Sequence, residues 1–128
     1  MEAAAIVTIL IVLQTFWFAL QVGKARQKYG VSAPACSGDP GFERAYRVHQ
    51  NSIEQIVLVL PALWVFAWFL NAEIAAGLGV VYLIGRQVYS NAYVNDPKSR
   101  GTGFVIGVLA LAALALGGIA GAVMSLMA

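Results

Sequence analysis

The chain has 128 residues, 60% of them apolar and only 11% charged, with a mean hydropathy of +0.77. A water-soluble domain carries about 25% charged residues, so this composition excludes an ordinary soluble globule and makes a lipid bilayer the natural solvent. The placement of the +2 net charge matters more than its size, and with Cys36 as the single cysteine no intrachain disulfide can form. A span needs about 20 apolar residues, so this length predicts one all-α domain with four membrane-spanning helices.

The first segment is apolar from Ala3 to Val22 and has no charge between Glu2 and Lys24. A signal peptide would carry a basic start, a shorter apolar run and a small-residue cleavage site. The acidic start and long run therefore predict a retained helix over 3–28, continued into the headgroup region by Lys24, Arg26 and Lys28. Phe16 and Trp17 lie mid-segment and are expected to pack rather than to anchor at an interface. Loop 1 follows, where Pro34, Gly38, Pro40 and Gly41 are expected to exclude helix.

The second predicted helix covers 42–70, longer than a typical hydrocarbon core, with Pro61 as a kink site. On a helical wheel, Arg44, Arg47, Asn51 and Glu54 fall at about 0°, 300°, 340° and 280°, one arc of about 80°. A solvated helix start with snorkelling arginines would explain the outer part, and an ion pair joining Arg47 to Glu54 would explain more. Asn51 and Glu54, however, lie about 13–18 Å along the helix. A charge at bilayer depth costs about 2.5–3.5 kcal/mol even on the milder insertion scale, so such groups face protein or a wet cavity. His49 falls at about 140°, away from the stripe, where an interfacial histidine is the plain reading.

A short connection through Asn71–Glu73 makes the second and third helices antiparallel neighbours. The third is predicted over 74–94. Its Tyr82, Arg86, Tyr89 and Tyr93 are spaced by 4, 3 and 4 residues and share an arc of about 60°. Arg86 is too deep for easy snorkelling; a buried arginine is most simply a structural partner, with Glu54 a candidate. Loop 3 carries Lys98 and Arg100, which on the residues alone are topology determinants. The fourth helix, over 102–126, has no charge, and its Gly103/Gly107 and Gly117/Gly121 pairs suit close helix contact in lipid. Lys24, Arg26 and Lys28 in loop 1 and Lys98 and Arg100 in loop 3 face no Lys or Arg on the other side. The positive-inside rule then puts loops 1 and 3 in the cytoplasm and both termini opposite. No HExxH, CxxC or glycine-rich phosphate loop is present, so neither a metal nor nucleic acid is expected as a partner.

Residues Phe42–Glu54, with Arg47, Asn51 and Glu54 in the pattern Arg-x-x-x-Asn-x-x-Glu, resemble the membrane-associated proteins in eicosanoid and glutathione metabolism, the MAPEG family. Gly85–Tyr93 followed by Pro97–Gly101 is similar to a second family motif, and the resemblance covers essentially the whole chain. It implies a homotrimer of four-helix subunits with glutathione bound between adjacent subunits near the cytoplasmic side. It further implies that Arg26, Arg47, Asn51, Glu54, Arg86, Tyr89 and Tyr93 hold glutathione, that His49 adds a polar contact, and that Arg100 stabilises the thiolate. The implied activity is conjugation of glutathione, as co-substrate, to lipophilic electrophiles, with reduction of lipid hydroperoxides as a related reaction. Two positions depart from the pattern of some members: Gln55 stands where an aromatic residue touches glutathione, and Gln27 where a second arginine follows the first. The alternative is a non-enzymatic MAPEG-type scaffold that binds membrane lipid. A four-span proton-coupled exporter fits poorly, because the first helix carries no acid beyond Glu2.

Overall fold

The computed structural model describes every residue from Met1 to Ala128. It contains four long helices, α1 (Glu2–Tyr29), α2 (Pro40–Phe69), α3 (Ala72–Asn95) and α4 (Gly101–Met127), with a 3₁₀ turn at Pro97–Ser99. α1, α2 and the segment Pro97–Met127 are long and apolar enough to cross a membrane. α3 falls outside that set because Arg86, Gln87, Ser90 and Asn91 dilute its apolar character.

The helix starts are set by local chemistry. α2 begins two residues before the predicted position, and the reason is Pro40. Proline is excluded from helix interiors but suits the first turn, where its fixed φ is preorganised and its missing N–H has no intrahelical partner. Asp39 completes this start by accepting a hydrogen bond at Oδ1 from the Gly41 N–H (2.8 Å). Asn71 caps α3 in the same way, accepting from the Ile74 N–H at 2.9 Å, so the turn between α2 and α3 is shorter than the sequence suggests. Pro61 lies inside α2, and the helix continues through it.

The helices run alternately up and down. Val7 of α1 and Leu63 of α2 both pack at Gly79 of α3, in a core with Ile11, Val59, Phe66, Ala75, Tyr82 and Leu114. This cluster fills the end of the bundle that holds the chain termini. Towards loops 1 and 3 it gives way to two small clusters, Phe18 with Val48 and Tyr89, and Val22 with Ala25 and Phe42. The glycines of α4 make close contact within the chain itself. A Cβ at Gly103 would collide with the Tyr89 backbone, and one at Gly117 with the Phe66 ring. Small residues let helices in lipid approach until backbone and side chain touch, and here they seat α4 on α3 and α2. The packing role expected for Phe16 and Trp17 does not hold within this chain: both face outward, and Phe18 is the aromatic that enters the core.

Candidate functional site

Arg86 is the centre of the polar region. It projects from α3 towards α2 and is only 2% exposed. Its Nη1 donates to Asn51 Oδ1 (2.9 Å) and its Nη2 to Ser52 Oγ (2.7 Å). Ser52 in turn donates to the Val48 carbonyl (2.8 Å), so its hydroxyl is fully engaged as donor and acceptor. The guanidinium carbon lies 4.1 Å from the centre of the Tyr89 ring. Arg86 Nε is buried without a hydrogen-bond partner.

Two expectations are corrected here. Arg86 is not paired with Glu54, and Arg47 is not paired with it either. The one ion pair in the chain joins the terminal ammonium to Glu2 at 3.2 Å. The reason is geometric: the Arg86 fork reaches the side of α2 that carries Asn51 and Ser52, whereas Arg47 and Glu54 lie on its exposed surface. Arg86 is therefore held by neutral oxygens and a ring face, and its charge has no anionic partner in the chain.

Asn51, Tyr89, Lys98, Arg100, Gly101 and Phe104 line a cleft of about 530 Å³. A smaller hollow of about 220 Å³ is formed by Pro40, Glu43, Arg44, Arg47 and Tyr93. Tyr93 stands between them, its ring 5.6 Å from that of Tyr89 and 5.7 Å from the Arg100 guanidinium carbon. Arg100 is placed by the loop: Asp96 Oδ1 accepts from the Lys98 N–H (3.1 Å), Ser99 Oγ donates to the Asp96 carbonyl (2.7 Å), and Arg100 Nη1 donates to the Pro97 carbonyl (2.6 Å). These bonds set Arg100 at the N-cap of α4, where the helix macrodipole adds positive potential to that of the side chain.

Within one chain the fold thus gathers Arg47, Asn51, Arg86, Tyr89, Tyr93 and Arg100 along one side of α2 and α3. Glu54 is exposed on α2, one turn beyond Asn51, with no hydrogen bond. Arg26 and His49 are not part of this group. Arg26 donates from Nη1 to the Ala35 carbonyl (2.8 Å) and stacks 4.8 Å from the Phe42 ring, and His49 is half-buried on another face of α2. Ser52 was not among the sequence candidates. On the wheel it lies about 80° from Arg44, among buried apolar residues. The available signal was its position four residues after buried Val48, a hydroxyl interrupting an apolar row.

A four-helix, membrane-embedded chain with a buried arginine and a basic cleft at one end of the bundle is the class that fold and site define. Residues 4–120 match the sequence model of the MAPEG family, and the chain belongs to that family. It is 46% identical over 112 residues to human microsomal glutathione S-transferase 2, covering 86% of this chain and 76% of the relative. It is 41% identical over 113 residues to an uncharacterised protein of Synechocystis, covering 88% and 82%. Bovine leukotriene C4 synthase is 42% identical over 96 residues, covering 75% of this chain and 64% of that protein.

Proposed function

We propose that this integral membrane protein is a glutathione transferase that joins the glutathione thiolate to lipophilic electrophiles. The observation that carries the reading is the unpaired positive charge of buried Arg86, flanked by exposed Arg47 and Arg100. A buried charge without a counter-ion is costly, and a ligand carrying carboxylates removes that cost. Glutathione has two carboxylates, an ammonium and a thiol. Arg47 takes a carboxylate in the smaller hollow, Glu54 takes the ammonium, and Tyr89, Tyr93 and Asn51 orient the backbone of the tripeptide.

The thiol then lies at the Arg100 end of the cleft. A free thiol has a pKa of about 8.5 and is mostly protonated at neutral pH, whereas the thiolate is the nucleophile. A guanidinium within about 4–6 Å favours the anion and lowers such a pKa by about 1–3 units. The thiol proton passes to solvent, sulfur forms a bond to the electrophilic carbon, and a leaving group departs or the adduct takes up a proton. With a lipid hydroperoxide, sulfur attacks the O–O bond; a second glutathione completes the disulfide, giving an alcohol and water.

Assembly follows from the same surfaces. Glu54 exposed deep in α2 would cost about 2.5–3.5 kcal/mol against lipid, so this face is read as covered by a neighbouring subunit of a homotrimer. Arg26 and His49, which lie apart from the group in their own chain, then reach the glutathione of the adjacent subunit. Loops 1 and 3 face the cytoplasm, where glutathione is supplied.

The test is the ultraviolet absorbance of thiolate on adding glutathione to protein in detergent. The wild type is expected to show it, and Arg100→Ala to lose thiolate by about eight- to thirtyfold at pH 7 while glutathione still binds. No glutathione binding at millimolar concentration overturns the reading.

A further inference from the structure

A third cavity, of about 540 Å³, lies between α1, the start of α2 and the end of α3. It shares no residue with the glutathione stripe, and none of its lining residues is acidic. On α1 its wall is a stripe of Trp17, Gln21, Lys24 and Lys28, spaced by 4, 3 and 4 residues and confined to an arc of about 60°. Lys24 and Lys28 sit at the end of the bundle that carries loop 1, and Trp17 lies about 16 Å deeper along the helix. Phe18 adds a second aromatic at that depth.

Some donors of this cavity have no acceptor in the chain. Gln21 Nε2 is buried with no hydrogen-bond partner. Across the cavity an amide row links the helices. Gln14 Nε2 donates to the Leu83 carbonyl (2.9 Å) and to Gln87 Oε1 (3.4 Å), and Gln87 Nε2 donates to Asn91 Oδ1 (3.1 Å). That row commits the Asn91 oxygen and leaves its amide N–H groups for another acceptor. Lys24 and Lys28 are like charges four residues apart, an arrangement that weakens an isolated helix and is relieved by an anion between them. Lys24 Nζ lies 5.4 Å from the Trp17 ring and Lys28 Nζ 5.2 Å from the Tyr29 ring, so both ammonium groups rest on aromatic faces of the wall and neither has an anionic partner in the chain.

We infer that this cavity holds one acidic phospholipid per chain. Its phosphate lies between Lys24 and Lys28 within reach of the Gln21 amide, and one acyl chain descends along Trp17 and Phe18. A lipid rather than a soluble phosphate is indicated by the apolar outer face of α1 beside Trp17, on which the cavity opens. Trp17 and its neighbour Phe16 are 49% and 59% exposed, so the deep end opens on the surface that meets the bilayer. The inference is independent of glutathione binding.

The test uses the full chain in nanodiscs containing equal amounts of phosphatidylglycerol and phosphatidylcholine, released into native mass spectrometry, which reads bound lipid and oligomeric state together. The wild type is expected to retain one phosphatidylglycerol per chain. The double variant Lys24→Gln/Lys28→Gln should lower that retention about tenfold or more, whereas Lys98→Gln, an equally basic loop position, changes it by less than about twofold. Gln21→Leu, which keeps both lysines, should lower retention by about threefold or more, since it removes a hydrogen bond to a charged group. Four results each overturn the inference. They are equal retention of phosphatidylcholine, displacement of the lipid by inorganic phosphate or glycerol 3-phosphate, equal loss in Lys98→Gln, and dissociation of the oligomer by the double variant without change in lipid. The second result assigns the cavity to a soluble anion, and the last assigns it to a contact between copies.

Discussion

In the half of the bundle that holds the termini, Ile11, Val59, Leu63, Phe66, Ala75 and Leu114 bury one another in a continuous core. In the half that holds loops 1 and 3, Phe18, Val48 and Tyr89 form a small cluster, and Arg86 lies beside them on Asn51 and Ser52. The same four helices run through both halves. In lipid there is little hydrophobic drive between helices, so close packing has to hold them together. The terminal half meets that requirement with interlocking side chains and with α4 glycines. The loop half does so only in part, with Gly103 against Tyr89, and otherwise exposes donors and charges. Apolar packing is concentrated at one end and free donors and charges at the other, because a region filled by its own apolar groups has no donors to spare.

The largest effect that separates the halves is expected for Leu63→Ala. Leu63 is fully buried in the large core, and truncating it leaves a cavity worth on the order of 1–3 kcal/mol in lost packing, with little transfer term because lipid is as apolar as the core. Thermal melting in detergent should fall accordingly, while glutathione affinity measured below the transition stays at the wild-type value. A drop in affinity comparable to the drop in stability would show that the halves are not separate.

Glu54→Gln is expected to do the reverse. Glu54 makes no hydrogen bond or ion pair in the chain, so melting without glutathione should be unchanged. A hydrogen bond to a charged group is worth about 1.5–3 kcal/mol, so glutathione affinity should fall by about tenfold or more. Calorimetric titration with glutathione measures it. An unchanged affinity would remove Glu54 from the site and with it the proposed ammonium contact.

These two halves were unequally legible in the sequence. The apolar half follows from hydropathy and helical period alone, and the four helices with their order are visible there. The misreadings lie at helix ends and on surfaces. Pro40 counted as a breaker although position N1 tolerates it, and Phe16 and Trp17 counted as packing groups although both are exposed in this chain and Phe18 is the residue turned inward. In the polar half, the stripes on α2 and α3 identified which residues share a face but not which of them bond. Helical angle locates a side chain around its own axis only. The pairing of Arg86 with Asn51 and Ser52 also depends on how far α2 and α3 are rotated towards each other, and packing settles that.

Ser52→Ala tests the smallest and most local link between the halves. Ser52 is 1% exposed and accepts from Arg86 Nη2. Alanine fills nearly the same space, so no large cavity forms, but one guanidinium N–H loses its acceptor beside an Nε that already has none. Leaving a buried donor unsatisfied costs about 1–3 kcal/mol, and that loss should appear in melting without glutathione. If Arg86 is a fixed positive centre that Ser52 positions, glutathione affinity falls as well, and Ser52→Thr, which keeps the hydroxyl, restores it. A loss of stability with unchanged affinity, and no difference between alanine and threonine in binding, would make Ser52 part of the packing alone. The boundary between the two halves would then lie between Ser52 and Asn51, adjacent residues that share one guanidinium.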